Sequence, residues 1–185
     1  MNAFELSQHI AVRLEEDGLA YAIGGALALT AWAIPRDTHD VDISVFTSED
    51  ELPRVIDALE RAGVMIDRVD AAKSVHRIGM FTGRAGRTLV DVFMSTHPHF
   101  VEMERRRRQL AYPAGAPLWF LSAEDLCVMK LLYARTKDIA DLERMFSALT
   151  LNLVYVRTWL GKMVPDGDRR LALLDDLVHR FGQSI

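Results

Sequence analysis

The chain has 185 residues, of which 50% are hydrophobic and 26% charged, and its formal net charge is −4. That length is sufficient for one globular domain, or for a core with a small extension, without support from disulfides or metals. The acidic balance argues against broad, sequence-independent binding to nucleic acid, which depends on neutralising phosphates.

The single cysteine, Cys127, excludes an internal disulfide and fits the reducing cytoplasm, where we expect the protein to act. Its neighbours Leu126, Val128 and Met129 are apolar, so we expect a buried and inert thiol. The stretch from Gly18 to Pro35 carries no charge. It is shorter than the ~20 residues that a membrane helix needs and contains a Gly-Gly pair, so we predict no membrane partner.

The first part of the chain alternates between helical and strand-like patterns. Residues 4–16 predict an amphipathic helix, and Leu19 to Ile23 predict a short buried strand. Gly24 and Gly25 then form a turn into a helix over Ala26 to Ile34, which Pro35 would end. The following elements are a strand at Val41–Phe46, a helix at Glu51–Ala62, strands at Val75–Thr82 and Thr88–Met94 with a hairpin loop over 82–87, and a charged helix beyond Phe100.

The second part of the chain is helical and follows a short Pro- and Gly-containing segment, Tyr112–Pro117. Ser122 with Asp125 three residues later is an N-cap signal for a helix that reaches Tyr133. Apolar stripes predict three more helices, over Ile139–Leu149, Leu153–Met163 and Leu171–Phe181. We therefore predict an α/β (α+β) fold in which residues 1–120 form a small mixed sheet flanked by helices and residues 121–185 form a helical part packed on it.

Two aspartates separated by one residue, Asp40 and Asp42, begin the strand that follows the Gly-Gly turn. Residues two apart in a strand point to the same face, so both carboxylates project together if strand pairing begins near Asp40. Carboxylates that close repel each other unless a cation lies between them. Mg²⁺ suits the position, because it takes a few carboxylates together with phosphate oxygens and water. Asp-x-Asp is also common in loops and helix caps, so the pair alone does not establish a metal site.

A third carboxylate, Asp91, interrupts the apolar strand Leu89–Phe93. A lone charge is costly there if it is buried without a partner, although an edge-strand position facing water is the alternative. The sequence Val-Asp-Val at 90–92 echoes Val-Asp-Ile at 41–43, as expected of adjacent strands that aim their carboxylates at one point. Three aspartates could hold one or two divalent ions at a triphosphate. The Gly-Gly turn would let backbone amides approach its phosphates.

These residues resemble the nucleotidyltransferase superfamily, the polymerase-beta-like fold, whose pattern is a Gly-Gly or Gly-Ser turn, an Asp-x-Asp pair and a later aspartate on a strand. The similarity is closest to bacterial AbiEii-type toxins of abortive-infection systems and to small antibiotic nucleotidyltransferases, through the segments Arg36–Asp42, Leu121–Leu131 and Lys137–Asp141. The resemblance implies Mg²⁺-dependent transfer of a nucleoside monophosphate from an NTP, with Asp40, Asp42 and Asp91 as catalytic and metal-binding residues. The nucleotide-binding residues would be Gly24, Gly25, Arg36, Thr38, Lys130, Asp138 and Asp141.

Several of these residues also have purely structural interpretations. Lys130 could lie at the edge of the core with its stem buried. Asp138 and Asp141 lie one helical turn apart and could orient Lys130, contact the nucleotide, or pair with Arg135 or Arg144.

The residues nearest the Gly-Gly turn leave a further question open. Arg36 and Thr38 could hold phosphate or sugar, or they could only shape the turn after Pro35. Gly25 stands where many members of the superfamily have serine, so the phosphate contact would come from backbone amides or from Thr30.

Three acceptors remain open: an RNA end such as that of tRNA, a small molecule, or a protein hydroxyl. RNA could use the basic run Arg105–Arg108, which otherwise reads as a solvated helix face, whereas the acidic pI of about 5.9 suits a small molecule. A toxin would in addition have an antitoxin partner. A different class of function is a catalytically inactive nucleotide-binding or protein-interaction module on the same fold. A sugar-nucleotide transferase also uses Asp-x-Asp with a divalent ion, but the early Gly-Gly turn and Asp91 disfavour it.

Overall fold

The structure is a computed structural model that describes residues 1–32, 34, 36–111 and 116–183. The chain divides into an α/β unit, Met1–Ala31 with Pro35–Leu121, and a helical unit, Trp32–Ile34 with Ser122–Ile185. Within the described ranges no helix is long and apolar enough to cross a bilayer. Pro35, and most of the segment Tyr112–Pro117, lie outside the described residues.

The α/β unit contains helices α1 (Ala3–Glu16), α2 (Gly25–Ala31), α3 (Leu52–Arg61), α4 (Arg68–Ile78) and α5 (His99–Arg106), with a 3-10 turn at Glu49–Glu51 before α3. Its strands are β1 (Tyr21–Ile23), β2 (Val41–Val45), β3 (Met80–Ala85), β4 (Thr88–Met94), β5 (Arg108–Leu110) and β6 (Leu118–Phe120). In the described part of the chain they form one six-stranded mixed sheet, ordered β3-β4-β2-β1-β6-β5. β2 pairs parallel with β4 and β1 pairs parallel with β6, and the other neighbours are antiparallel. The predicted mixed sheet flanked by helices is confirmed.

Strand β4 of this sheet is buried on one face and partly exposed on the other. Along β4, Val90, Val92 and Met94 are fully buried, whereas the residues between them are only partly buried. This period of two is the sequence pattern of a strand with one face on a core. The apolar stripe predicted for α3 is confirmed, since Leu52, Val55, Ile56 and Leu59 are all buried. Each such side chain contributes about 1.5–3 kcal/mol relative to exposure.

The helical unit contains α6 (Ala123–Tyr133), α7 (Thr136–Ala148), α8 (Leu153–Met163) and α9 (Arg169–Phe181). The predicted cap is confirmed: the Ser122 hydroxyl oxygen accepts a hydrogen bond from the Asp125 N–H at 3.1 Å. α6 packs against α7 and α8, and α7 packs against α9. The apolar stripes predicted for α7, α8 and α9 contain the residues that are buried, namely Leu142, Met145 and Phe146, then Leu153, Val156 and Leu160, and then Leu174 and Leu177.

The strand predicted at Val75–Thr82 is wrong over most of its length. Residues up to Ile78 belong to helix α4, and the strand is β3, which begins at Met80 and continues to Ala85. The β-branched Val75 favoured a strand, but the helix is fixed at its ends. The Asp67 carboxylate caps it by accepting from the N–H groups of residues 69 and 70, and Gly79 ends it at φ 72°. The hairpin loop predicted over 82–87 shrinks to a turn at Gly86 and Arg87.

Two further predictions need correction. The helix after the Gly-Gly turn ends at Ala31 rather than Ile34, and Trp32 and Ile34 are grouped with the helical unit. Strands β5 and β6 were not predicted from the sequence. Each has only three residues, which is too short to give a periodic signal, and each exists through pairing with its neighbours.

Candidate active site

Asp42 on β2 and Asp91 on β4 are register partners in adjacent parallel strands. Residues paired in register point to the same face of a sheet, and neighbouring strands lie about 4.8 Å apart. Their apolar neighbours on both strands, Val41, Ile43, Val90 and Val92, are fully buried, while both aspartates are only partly buried. The repeated Val-Asp pattern therefore places two carboxylates side by side on the accessible face, as predicted from adjacent strands.

Gly24 and Gly25 lie directly against Asp42. The Gly24 N–H donates to the Asp42 carbonyl oxygen at 2.8 Å, which holds the Gly-Gly turn onto β2. Gly25 begins α2 with φ +55°, and a β-carbon there would lie 1.8 Å from Asp42 Oδ2. Glycine is thus required at position 25 both by its backbone conformation and by the carboxylate beside it. The turn brings bare backbone to the aspartate pair.

Asp40 immediately precedes β2 and is partly buried. Its backbone N–H lies 3.2 Å from the Thr38 hydroxyl oxygen, and that hydroxyl lies 3.2 Å from the Asp40 carbonyl oxygen. Thr38 is therefore engaged in the local turn that leads into β2. Arg36 is partly buried two residues earlier.

The three aspartates do not form a preformed metal cage. Among residues 1–32, 34, 36–111 and 116–183, no group of three or more His, Cys, Asp or Glu side chains is arranged to hold a metal ion. The paired carboxylates of Asp42 and Asp91 nevertheless fit Mg²⁺, which commonly takes one or two carboxylates and completes its shell with substrate phosphates and water. An ion here would depend on a bound triphosphate.

Thr82 is a neighbour of this site that the sequence interpretation missed. It faces Asp91 across the β3–β4 pair, and its hydroxyl donates to Asp91 Oδ1 at 2.7 Å. The sequence contained the signal for this pairing. A two-residue turn at Gly86 and Arg87 places Ala85 opposite Thr88, and three residues further along each strand Thr82 lies opposite Asp91.

Lys130, Asp138 and Asp141 are brought together inside the helical unit. Lys130 on α6 is 5% exposed, and its Nζ lies 2.7 Å from Asp141 Oδ2 and 3.9 Å from Asp138 Oδ1 on α7. Asp138 also accepts from the backbone N–H and the Nε of Arg135, at 3.1 and 2.7 Å. Among the predicted alternatives, the structure therefore has Asp141 paired with Lys130 and Asp138 paired with Arg135.

The basic run Arg105–Arg108 is largely engaged in contacts within the chain. Arg105 pairs with Glu102 at 2.5 Å. The Arg107 guanidinium lies 4.3 Å from the centre of the Trp119 ring and donates to a backbone carbonyl oxygen at 2.9 Å. Arg108 is exposed and donates to the Arg106 carbonyl oxygen. The ion pair of Arg105 with Glu102 offsets one of the four positive charges, which leaves less net charge for an external phosphate backbone.

Cys127 on α6 is fully buried, as predicted. Its burial raises the pKa of the thiol well above the usual range, the nearby Glu124 adds to the effect, and Lys130 opposes it. The thiol is therefore held in its unreactive protonated form.

Comparison with known proteins places this chain among nucleotidyltransferases. A family model described as "Nucleotidyltransferase of unknown function (DUF6036)" matches residues 3–164. No protein with a curated functional description matches the chain in sequence.

Solved structures with the same fold include two of the antibiotic-resistance factor ANT(2'')-Ia. Its solution structure is 18% identical, covers 97% of this chain and 100% of its own, and gives a TM-score of 0.61. Its crystal structure with adenylyl-2''-tobramycin is 19% identical, covers 96% and 97%, and gives 0.57. An antigenic nucleotidyltransferase-like protein from Paracoccidioides brasiliensis is 17% identical, covers 97% and 90%, and gives 0.51. At these identities the likeness shows a shared fold.

Proposed function

The chain belongs to the DUF6036 family of nucleotidyltransferases of unknown function, and from that premise we propose that it transfers a nucleoside monophosphate from an NTP to an acceptor hydroxyl. The observation that carries the proposal is the in-register pair of Asp42 and Asp91 with the bare backbone of Gly25 against it. Two carboxylates on one accessible face, next to a backbone that phosphate can approach closely, suit a triphosphate with a divalent ion.

In the proposed reaction the acceptor hydroxyl oxygen forms a bond to the α-phosphorus of the NTP. The bond from that phosphorus to the leaving phosphate oxygen breaks, and pyrophosphate departs. Asp91 either takes the hydroxyl proton as general base or serves as the third metal ligand, in which case solvent water takes the proton. Asp40 and Asp42 would hold Mg²⁺, which supplies charge neutralisation and alignment for an in-line displacement.

The remaining residues of the proposed site would bind the nucleotide. Gly24 and Gly25 would lie against its phosphates, with the Gly25 N–H as the donor because the Gly24 N–H is bonded to the Asp42 carbonyl oxygen, and Arg36 and Thr38 would contact phosphate or sugar. Lys130, with Asp138 and Asp141, would form a second group on the helical unit. In this structure the charge of Lys130 is already paired with the buried carboxylate of Asp141. The binding of the nucleotide by Lys130 would therefore depend on the substrate competing with that partner.

A small molecule is the acceptor class that the chain supports best. The net charge is −4, and two of the arginines in the run Arg105–Arg108 are engaged with Glu102 and Trp119. The fold relative ANT(2'')-Ia was solved with an adenylylated small molecule, tobramycin. An RNA end, as for an AbiEii-type toxin with an antitoxin partner, and a protein hydroxyl are the other acceptors. We place the reaction in the cytoplasm because the only cysteine is buried and unpaired.

Label transfer from each of the four α-³²P NTPs, with Mg²⁺ and a whole-cell extract, tests the proposal. The wild type is compared with Asp40→Ala/Asp42→Ala and with Asp37→Ala, a control that removes an exposed aspartate from the same loop. We expect label with the wild type and with Asp37→Ala, and none with the double variant. The sensitivity of the labelled product to RNase or protease, or its small size, identifies the acceptor. No label from a folded wild type would favour the inactive binding module instead.

A further inference from the structure

Thr82, Asp91 and Asp42 form one row across three adjacent strands. The register pairs Thr82 on β3 with Asp91 on β4, and Asp91 with Asp42 on β2. Register partners share a face, so the three polar side chains lie on the accessible side of the sheet. Within this row the Thr82 hydroxyl donates to Asp91 Oδ1 at 2.7 Å.

The strand that carries Thr82 is held firmly on both sides of this residue. Phe81 is buried, with 2% exposure, and Gly83 packs so closely that a β-carbon there would lie 2.5 Å from Val64 Cγ1. The backbones of Met65 and Arg84 exchange two hydrogen bonds, at 2.8 and 2.9 Å. Threonine is also restricted at χ1. The hydroxyl is therefore presented to Asp91 by a fixed backbone and a stiff side chain.

The Asp91 carboxylate needs such an anchor. The terminal torsion of an aspartate is broad and roughly two-fold, so the carboxylate rotates readily on its own. Asp42 stands beside it, and repulsion between the two charges favours rotation apart. A hydrogen bond from Thr82 commits Oδ1 and leaves Oδ2 as the oxygen not used by that bond.

We propose that Thr82 is a positioning residue for nucleotidyl transfer, whose hydroxyl fixes the rotation of the Asp91 carboxylate so that Oδ2 faces the acceptor hydroxyl or the divalent ion. This inference rests on the proposed function. Threonine is common in strands for reasons of shape alone, and valine has nearly the same shape. The hydroxyl, rather than the shape, is what the reaction requires at position 82.

Three variants separate the hydroxyl from the shape. Thr82→Val removes the donor, Thr82→Ser keeps it, and Thr158→Val removes an exposed threonine hydroxyl from α8 of the helical unit as a matched control. Each is measured for kcat and for the KM of the NTP, for Mn²⁺ affinity by electron paramagnetic resonance with a non-hydrolysable NTP analogue, and for Tm. We expect Thr82→Val to lower kcat and Mn²⁺ affinity by about 10–100-fold, as partners of metal ligands do, with KM changed less than about 3-fold. Thr82→Ser should restore most of both, and Thr158→Val should match the wild type.

The outcomes decide the role of Thr82 whether or not the proposed function holds. Unchanged kcat together with unchanged Mn²⁺ affinity in Thr82→Val overturns the inference. A loss that serine does not rescue and that follows a lower Tm overturns it as well, because it reflects structure alone. If the wild type transfers no label, the proposed function fails and the Mn²⁺ titration decides by itself. Weaker binding by the valine variant but not by the serine variant supports positioning, and equal binding by all three overturns it.

Discussion

Gly25 lies so close to the carboxylate of Asp42 that a β-carbon at position 25 would come within 1.8 Å of Oδ2 and 2.5 Å of Cγ. Position 25 therefore has no room for a side chain while Asp42 keeps this orientation. Its backbone, at φ +55°, is in the region that glycine adopts without strain. A serine at this position would meet both obstacles, so only backbone atoms of residue 25 fit beside Asp42 in this orientation.

Gly25→Ala should cost more stability than left-handed backbone strain alone and should abolish transfer, because Asp42 must rotate away. Gly18→Ala is the matched control, since Gly18 has φ +67° and nothing within 4 Å of a β-carbon. We expect the free energy of unfolding to fall by about 1–3 kcal/mol in the control. In Gly25→Ala it should fall by about 1–3 kcal/mol more. Urea unfolding measures both. Gly24→Ala, whose nearest contact would be 3.4 Å, should be tolerated better, and equal losses at positions 18 and 25 would contradict the clash.

Asp42→Asn should reduce transfer to background while leaving the fold intact. The amide keeps the size of the side chain but removes the charge that a divalent ion requires. Repulsion with Asp91 also disappears, so the free energy of unfolding should stay within about 0.5 kcal/mol of the wild type or rise. Activity and urea unfolding are measured on the same preparation. Full activity in Asp42→Asn, or in Asp42→Ala, would sink the assignment of this residue.

Lys130→Met should destabilise the helical unit, because it leaves the buried carboxylate of Asp141 without its partner at 2.7 Å. Breaking a buried pair in this way costs about 3–5 kcal/mol. The double variant Lys130→Met/Asp141→Leu should recover most of that loss. The exposed pair of Arg13 and Glu16, at 2.8 Å, provides the control, where Glu16→Gln should cost no more than about 1 kcal/mol.

The same double variant separates structure from nucleotide binding at Lys130. If Lys130 contacts the triphosphate, a stable Lys130→Met/Asp141→Leu protein should show a raised KM for the NTP or no transfer. If the lysine serves only the packing of α6 against α7, the recovered fold should recover activity. Steady-state kinetics on the double variant distinguishes the two.

Cys127 should resist thiol reagents in the native protein. Burial raises the pKa of its thiol, and the reactive thiolate is therefore suppressed while the fold persists. Ellman's reagent at pH 8 should report no thiol in the native protein and one thiol per chain in urea. Rapid native labelling at the same pH would show that α6 opens readily and would contradict the buried position.

Charge reversal at Arg105 and Arg108 should leave transfer to a small acceptor unchanged. Arg105 is already paired with Glu102, and both arginines are exposed. Arg105→Glu/Arg108→Glu adds four units of negative charge relative to the wild type, which should weaken the binding of an RNA acceptor and make that binding less dependent on salt, because fewer phosphates are neutralised. Label transfer at two salt concentrations measures this. A large loss with the double variant would favour an RNA end.

Much of the candidate site could be predicted because its signals are local. The Gly-Gly turn, the Asp-x-Asp pair and the Val-Asp-Val strand each occupy a few consecutive residues, and the period of two in a strand determines which side chains share a face. The N-cap at Ser122 and the stripe of α3 are similarly short-range. The membership of the chain in a nucleotidyltransferase family agrees with these motifs.

Other features depended on contacts between distant segments. Helix α4 around Val75 is not one of these features, because its caps at Asp67 and Gly79 are local signals that the prediction missed. The three-residue strands β5 and β6 exist only because they pair, and Ile23 meets Phe120 from far along the chain. No local pattern encodes such partners.

The sequence by itself determined which residues are candidates for the chemistry: a glycine pair, three aspartates and a lysine on an apolar helix. Only the tertiary structure decided what each of them contacts. It placed Asp42 beside Asp91 in the sheet, gave Asp91 a hydrogen bond from the Thr82 hydroxyl, and paired Asp141 with Lys130. The physical reason is that side-chain periodicity is set by the local backbone, whereas strand register and helix packing are set by burial summed over segments that are remote in sequence.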